Sequence, residues 1–122
     1  MCTCETTDEF ELDRNENVAS WVKNDHLGFE VLYVYKGVVH KYRPDFIVRL
    51  KTGNFLVLET KGHDTDQDKT KRGFLDEWVK AVNEHGGFGT WSWAVSKRPG
   101  DVVGILEKET VAIKHAEAGQ NL

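Results

Sequence analysis

At 122 residues, with a formal net charge of −4 and a pI near 5.7, the chain has room for one hydrophobic core and one domain, 1–122. The acidic balance argues against a free-standing nucleic-acid binder, whose footprint is a basic surface, and no apolar run approaches the roughly 18 residues of a membrane span. Cys2 and Cys4 are too close together to staple a fold, and without a second pair of ligands they make a poor zinc site; with no signal-peptide pattern at the start, the expected compartment is the cytoplasm.

Residues 1–8 are polar and expected to be loose, as is the tail 115–122. Val18, Trp21 and Val22 recur at i, i+3 and i+4 and predict a helix over Asn17–Asn24, capped by Asn15 or Asn17. Phe29–Tyr35 reads as a strand, Lys36-Gly37 as a tight turn, and Val38 onward as a second strand running to Leu50. Pro44 lies inside that second strand, where it cannot donate a ladder hydrogen bond, so an edge, bulge or kink is expected just before Asp45. Phe55–Gly62 is the third strand of an antiparallel meander. The following Asp64-x-Asp66-x-Asp68 run is spaced like the start of a calcium loop. Lys69 stands where that loop needs glycine, however, and Leu75 where it needs glutamate. Asp68 or Thr70 then caps a helix with the stripe Phe74, Leu75, Trp78, Val79 and Val82, closing at Gly86-Gly87. Trp91–Val95 predicts a strand, and Val102–Leu106 a short strand or a helical turn. The expected fold class is α/β: a mixed central sheet, three antiparallel strands plus one parallel strand reached through the Phe74–Val82 helix, flanked by helices.

The connection Lys51-Thr52-Gly53 suits a three-residue hairpin loop with glycine at the left-handed position. That loop pairs Leu50 with Asn54 and, counting back, Asp45 with Glu59. Alternation then adds Lys61 to the face of Asp45 and Glu59, while Phe46, Val48, Leu50, Leu56 and Leu58 form a core face. Two opposed carboxylates repel unless a cation lies between them. A divalent metal would supply that charge; a surface salt-bridge cluster with Arg43, Arg49 and Lys61 is the alternative. Removing either acid should therefore relieve repulsion and leave the fold intact.

Pro44-Asp45 followed by Glu59-Thr60-Lys61 resembles the motif of the PD-(D/E)XK nuclease superfamily, whose core has the same helix, three-strand, helix, strand order. More narrowly, Tyr42-Arg43-Pro44-Asp45-Phe46-Ile47-Val48 with Val57-Leu58-Glu59-Thr60-Lys61-Gly62 is similar to the C-terminal endonuclease domain of the restriction subunit of type III restriction enzymes. Trp21-Val22-Lys23-Asn24 and Gly86-Gly87-Phe88-Gly89-x-Trp91 extend the likeness over Leu12–Ala94. The resemblance implies a restriction-endonuclease-like core and a Mg²⁺-dependent endodeoxyribonuclease, with Mn²⁺ able to substitute. It implies that Asp45, Glu59 and the Thr60 carbonyl hold the metal, and that Lys61 orients or activates the attacking water or stabilises charge on phosphorus. It also implies an acid on the first helix, for which Glu9 and Glu16 are candidates.

The partners implied are DNA, a helicase or translocase domain, and a DNA-recognition (modification) subunit. No Gly-x-x-x-x-Gly-Lys-Ser/Thr loop is present in these residues, so DNA translocation has to come from elsewhere. Lys69, Lys71 and Arg72 are candidates for contact with the nucleic-acid backbone. A nuclease-fold module that serves only as an interaction scaffold is the competing expectation. No Gly-x-Ser-x-Gly or His-Glu-x-x-His motif occurs, and the five histidines lack ligand spacing.

Overall fold

The computed structural model describes residues 7–25, 27–98 and 100–120, with side chains described from Asp8 to Val111 within these. Nine elements follow in order: α1 (Thr7–Arg14), β1 (Val18–Lys23), β2 (Val31–Tyr35), β3 (Val38–Tyr42), β4 (Phe46–Leu50), β5 (Phe55–Thr60), α2 (Asp66–His85), β6 (Trp91–Ser96) and α3 (Asp101–Gln120). The fold is α/β with a mixed sheet in the order β1-β4-β5-β6; β2 and β3 form a separate hairpin. β1 and β5 both run antiparallel to β4, and β6 runs parallel to β5. Among the described residues, no helix is long and apolar enough to cross a membrane.

The large sheet separates two cores. On one face Phe46, Val48, Leu50, Leu56 and Leu58 pack against Leu12 of α1 and Val102 and Leu106 of α3. On the other, Val57 meets Leu75 and Val79 of α2 and Val31, Tyr33 and Tyr42 of the hairpin. The face assignment of the β4–β5 residues therefore matches strand alternation.

Two expected elements take a different form. The helix expected over Asn17–Asn24 is strand β1, and the first helix lies upstream at Thr7–Arg14. The reason is a register irregularity between Val18 and Ser20. A bulge lets two residues three apart fall on one side of a strand, and both Val18 and Trp21 pack against the α1–α3 core. Trp21 stands edge-on to Phe46 with ring centroids 5.7 Å apart. A helix-like spacing is thus produced by a bulged strand.

The expected meander is also replaced. The second strand does not run through Pro44 but stops at Tyr42 and restarts at Phe46. Without an N–H, Pro44 cannot continue the ladder, and Arg43-Pro44-Asp45 instead carries the chain from the hairpin to the large sheet. β1 then occupies the place beside β4 that β2 was expected to take. Lys36 (φ 51°) and Gly37 (φ 77°) close the hairpin, the paired left-handed residues of a primed turn. At the far end, α3 extends through 115–120, which were expected to form a loose tail, and Val102–Leu106 lies in its opening turns. Residues 1–6 and 121–122 lie outside the described residues.

Candidate active site at the ends of strands β4 and β5

The β4–β5 hairpin has the expected register. The Gly53 N–H donates to the Leu50 carbonyl at 2.9 Å and the Leu50 N–H to the Asn54 carbonyl at 2.8 Å, with Gly53 left-handed at φ 91°. Phe46 faces Leu58, so the next rung sets Asp45 opposite Glu59.

That last rung is not a backbone rung. The Asp45 carbonyl accepts the Asn24 N–H at 2.8 Å, and its carboxylate Oδ2 accepts both the Thr60 N–H (2.8 Å) and the Thr60 hydroxyl (3.0 Å). The bend anticipated at Pro44 has re-aimed Asp45 toward the Thr60 backbone. On its other side Thr60 is fixed because Lys61 donates its N–H to Ser96 of β6 at 2.9 Å. Alternation therefore turns the N–H and carbonyl of Thr60 toward β4. Asn24, buried, fastens the crossing by donating Nδ2 to the carbonyls of Pro44 (2.9 Å) and Phe29 (2.8 Å).

Glu59 and Lys61 lie in a different neighbourhood, with the first turns of α2. Burial pushes the Glu59 carboxyl up to about 7, against the pull of Lys71, Lys61 and Arg72. Lys61 Nζ lies 3.4 Å and Lys71 Nζ 3.6 Å from the same oxygen, Asp68 Oδ1. The other oxygen, Oδ2, accepts the Thr65 N–H (3.0 Å) and hydroxyl (2.8 Å); with Thr65 Oγ1 accepting the Asp68 N–H, this is a reciprocal capping box. Burial works to raise the Asp68 pKa, but these hydrogen bonds and the charge of Lys61 hold it down at about 2.

The structure thus groups Glu59 and Lys61 with Lys71, Arg72 and Asp68, and brings Asp45 to Thr60 between them. Alternation alone placed Asp45 and Glu59 in one ionic cluster; the bend at Asp45 gives the two carboxylates separate partners. Of the three candidate phosphate contacts, Arg72 is engaged bidentately by Asp64 at 2.6 and 2.7 Å. Lys69 is exposed, and Lys71 is half-buried beside Glu59.

Of the two acids expected on the first helix, only Glu9 lies on α1. Glu9 is ion-paired with Lys23 at 3.2 Å, and Glu16 is exposed in the turn after α1. Asp8 is the α1 acid that feels Asp45. Its pKa is raised first by burial, with a Ser96 hydrogen bond opposing and the charges of Asp101, Asp45 and Glu9 adding to the rise. Its Oδ1 is buried with no hydrogen-bond partner among the described residues. Sequence periodicity could not single it out, because α1 sends Leu12 into the core but leaves Phe10 exposed.

Among the described residues, no three His, Cys, Asp or Glu side chains are grouped so as to hold a metal. The carboxylates of Asp45 and Glu59 and the Thr60 carbonyl are nevertheless the kind of oxygen donor that a hard divalent ion takes. Burial also favours the neutral form of Glu59, whose pKa is raised to about 7. No family model, curated protein or solved structure matches the chain.

Proposed function

We propose that this chain is a metal-dependent DNA endonuclease domain that hydrolyses phosphodiester bonds, with a restriction-endonuclease-like core related to the nuclease part of type III restriction subunits. The observation that carries the reading is Glu59: a half-buried carboxyl with a pKa of about 7, near the charges of Lys61, Lys71 and Arg72, one residue from the Thr60 backbone that Asp45 grips. A shifted acid in a cationic setting is the kind of group that clusters at functional sites.

Asp45, Glu59 and the Thr60 carbonyl would hold Mg²⁺ or Mn²⁺. The bound ion would supply Lewis acidity and a more acidic water. The chain's own groups do the rest. Asn24 fixes the backbone of Asp45 and Pro44. Glu59, whose burial favours its neutral form, and Asp45, whose carboxylate accepts from Thr60, would be the two carboxylates that hold the ion. Lys61 presents an ammonium to the charge that develops on the phosphate. DNA grip and translocation come from a helicase domain and a recognition subunit, which accords with the chain's net charge of −4; the compartment is the cytoplasm.

The second reading, a non-catalytic interaction module of the same fold, draws on one observation: Asp45 Oδ2 already completes the sheet by capping Thr60. Nicking of supercoiled plasmid in Mg²⁺ or Mn²⁺ separates the two. The nuclease reading expects nicking that disappears in Lys61→Ala; equal nicking by that variant removes the assignment.

A further inference from the structure

The hydrogen-bond pattern of Asp68 divides its two oxygens between two tasks. Oδ2 is occupied by Thr65 and closes the start of α2. Oδ1 faces the ammonium groups of both Lys61, from the end of β5, and Lys71, from one turn into α2. The carboxylate is buried, and its anchorage to a capped helix leaves it little freedom to follow either lysine. Lys71 is further fixed by lying over the Tyr42 ring, 5.6 Å from its centroid. Long lysine side chains ordinarily sample many rotamers; here two are drawn to one fixed oxygen beside Glu59.

We propose that Asp68 is a positioning residue that holds Lys61 and Lys71 as a paired-ammonium unit facing the substrate phosphate, with Lys71 as the contact contributed by α2. This rests on the nuclease reading for its substrate, but the pairing itself is a property of the folded chain. It explains why an aspartate that could cap α2 as an asparagine would carries a full charge at a buried position. It also sorts the basic residues at the start of α2: Arg72 is bound to Asp64, while Lys71 is directed to the site.

The test is Asp68→Asn. Asparagine keeps an oxygen for the Thr65 N–H and hydroxyl but replaces the anionic oxygen at the lysines with an amide nitrogen. Side-chain ¹⁵Nζ resonances of Lys61 and Lys71 in the wild-type protein are expected to be resolved and slowly exchanging, and to collapse to solvent-like positions in Asp68→Asn while the melting temperature is kept. Unchanged ammonium resonances overturn the proposal, whether or not the protein cuts DNA. On plasmid substrate, Asp68→Asn should lower kcat by about 10–100-fold, the usual loss when a supporting partner of a site residue is removed, and should cause a smaller loss in a Lys71→Ala background, where one of its two ammonium partners is already gone. An equal loss in both backgrounds overturns it. Thr65→Ala removes one of the two donors that anchor Oδ2 and leaves the Thr65 N–H and the oxygen that faces the lysines in place, so it should lower the melting temperature and lower kcat by less than Asp68→Asn does; a kcat loss matching that of Asp68→Asn would mean that the cap alone matters. If the wild-type protein cuts nothing under any condition while the ammonium resonances respond as expected, the nuclease reading fails, and with it the phosphate assignment, but the lysine pairing stands.

Discussion

The carboxylate of Asp45 accepts the backbone N–H of Thr60 at 2.8 Å, so the last rung between β4 and β5 is closed by a side chain. Relief of carboxylate repulsion would make removal of this acid harmless to the fold. The hydrogen bonds reverse that expectation for one of the two acids. Asp45→Ala should destabilise by about 1–3 kcal/mol, the usual penalty for orphaning a half-buried donor, whereas Asp45→Asn keeps an acceptor and should lie near wild type. Urea denaturation of the two variants checks the difference; nicking should be lost in both.

Glu59 sets a pH dependence of stability. Its folded pKa, about 7, lies above the ordinary 4.5, so between these values the folded state binds more proton than the unfolded one. The contribution is complete below about pH 4.5 and is lost as pH rises through 7. Melting temperature should therefore fall across that window in metal-free buffer, and Glu59→Gln should flatten the fall. A metal that replaces the proton should bind more tightly as pH rises toward 7, with proton release that buffer-dependent calorimetry will detect.

Asn24 joins three segments through Asp45, Pro44 and Phe29. Asn24→Ala should cost about 1–3 kcal/mol, since it leaves the buried Pro44 carbonyl and the half-buried Phe29 carbonyl without their donor. It should also lower nicking by releasing the backbone under Asp45. A variant that unfolds at the same urea concentration as wild type would show that the crossing is held by other contacts.

Arg72 and Lys71 should behave differently despite being neighbours. Arg72→Ala frees Asp64 from its bidentate partner and should act chiefly on stability. Lys71→Ala should weaken DNA association and flatten its salt dependence by about one phosphate contact. Fluorescence anisotropy on an oligonucleotide duplex at several salt concentrations distinguishes them.

The hairpin can be read from the chain because every local signal in it agrees. Gly53 fixes the loop, Phe46, Val48 and Leu50 alternate into one core, and the register as far as Phe46 opposite Leu58 follows by counting. The helix that ends the crossover is similarly legible from its stripe and from Gly86. β1 is not, because a bulge converts a period of two into the spacing of a helix at Val18 and Trp21. Asp8 is hidden for a related reason: α1 is short, and its exposed Phe10 blurs the apolar face. The direction of the Asp45 side chain depends on which strand lies beside β4 and on Asn24 holding the crossing. Both are tertiary facts that no window of sequence contains.

The most direct measurement is calorimetric titration of Mn²⁺ into the wild-type protein and into Asp45→Asn/Glu59→Gln, near pH 7.5. The wild-type protein should bind the ion, with release of protons consistent with a Glu59 pKa of about 7, and the double variant should give no binding heat. Equal binding by both proteins, or none by the wild type, would contradict a metal held between these two strands.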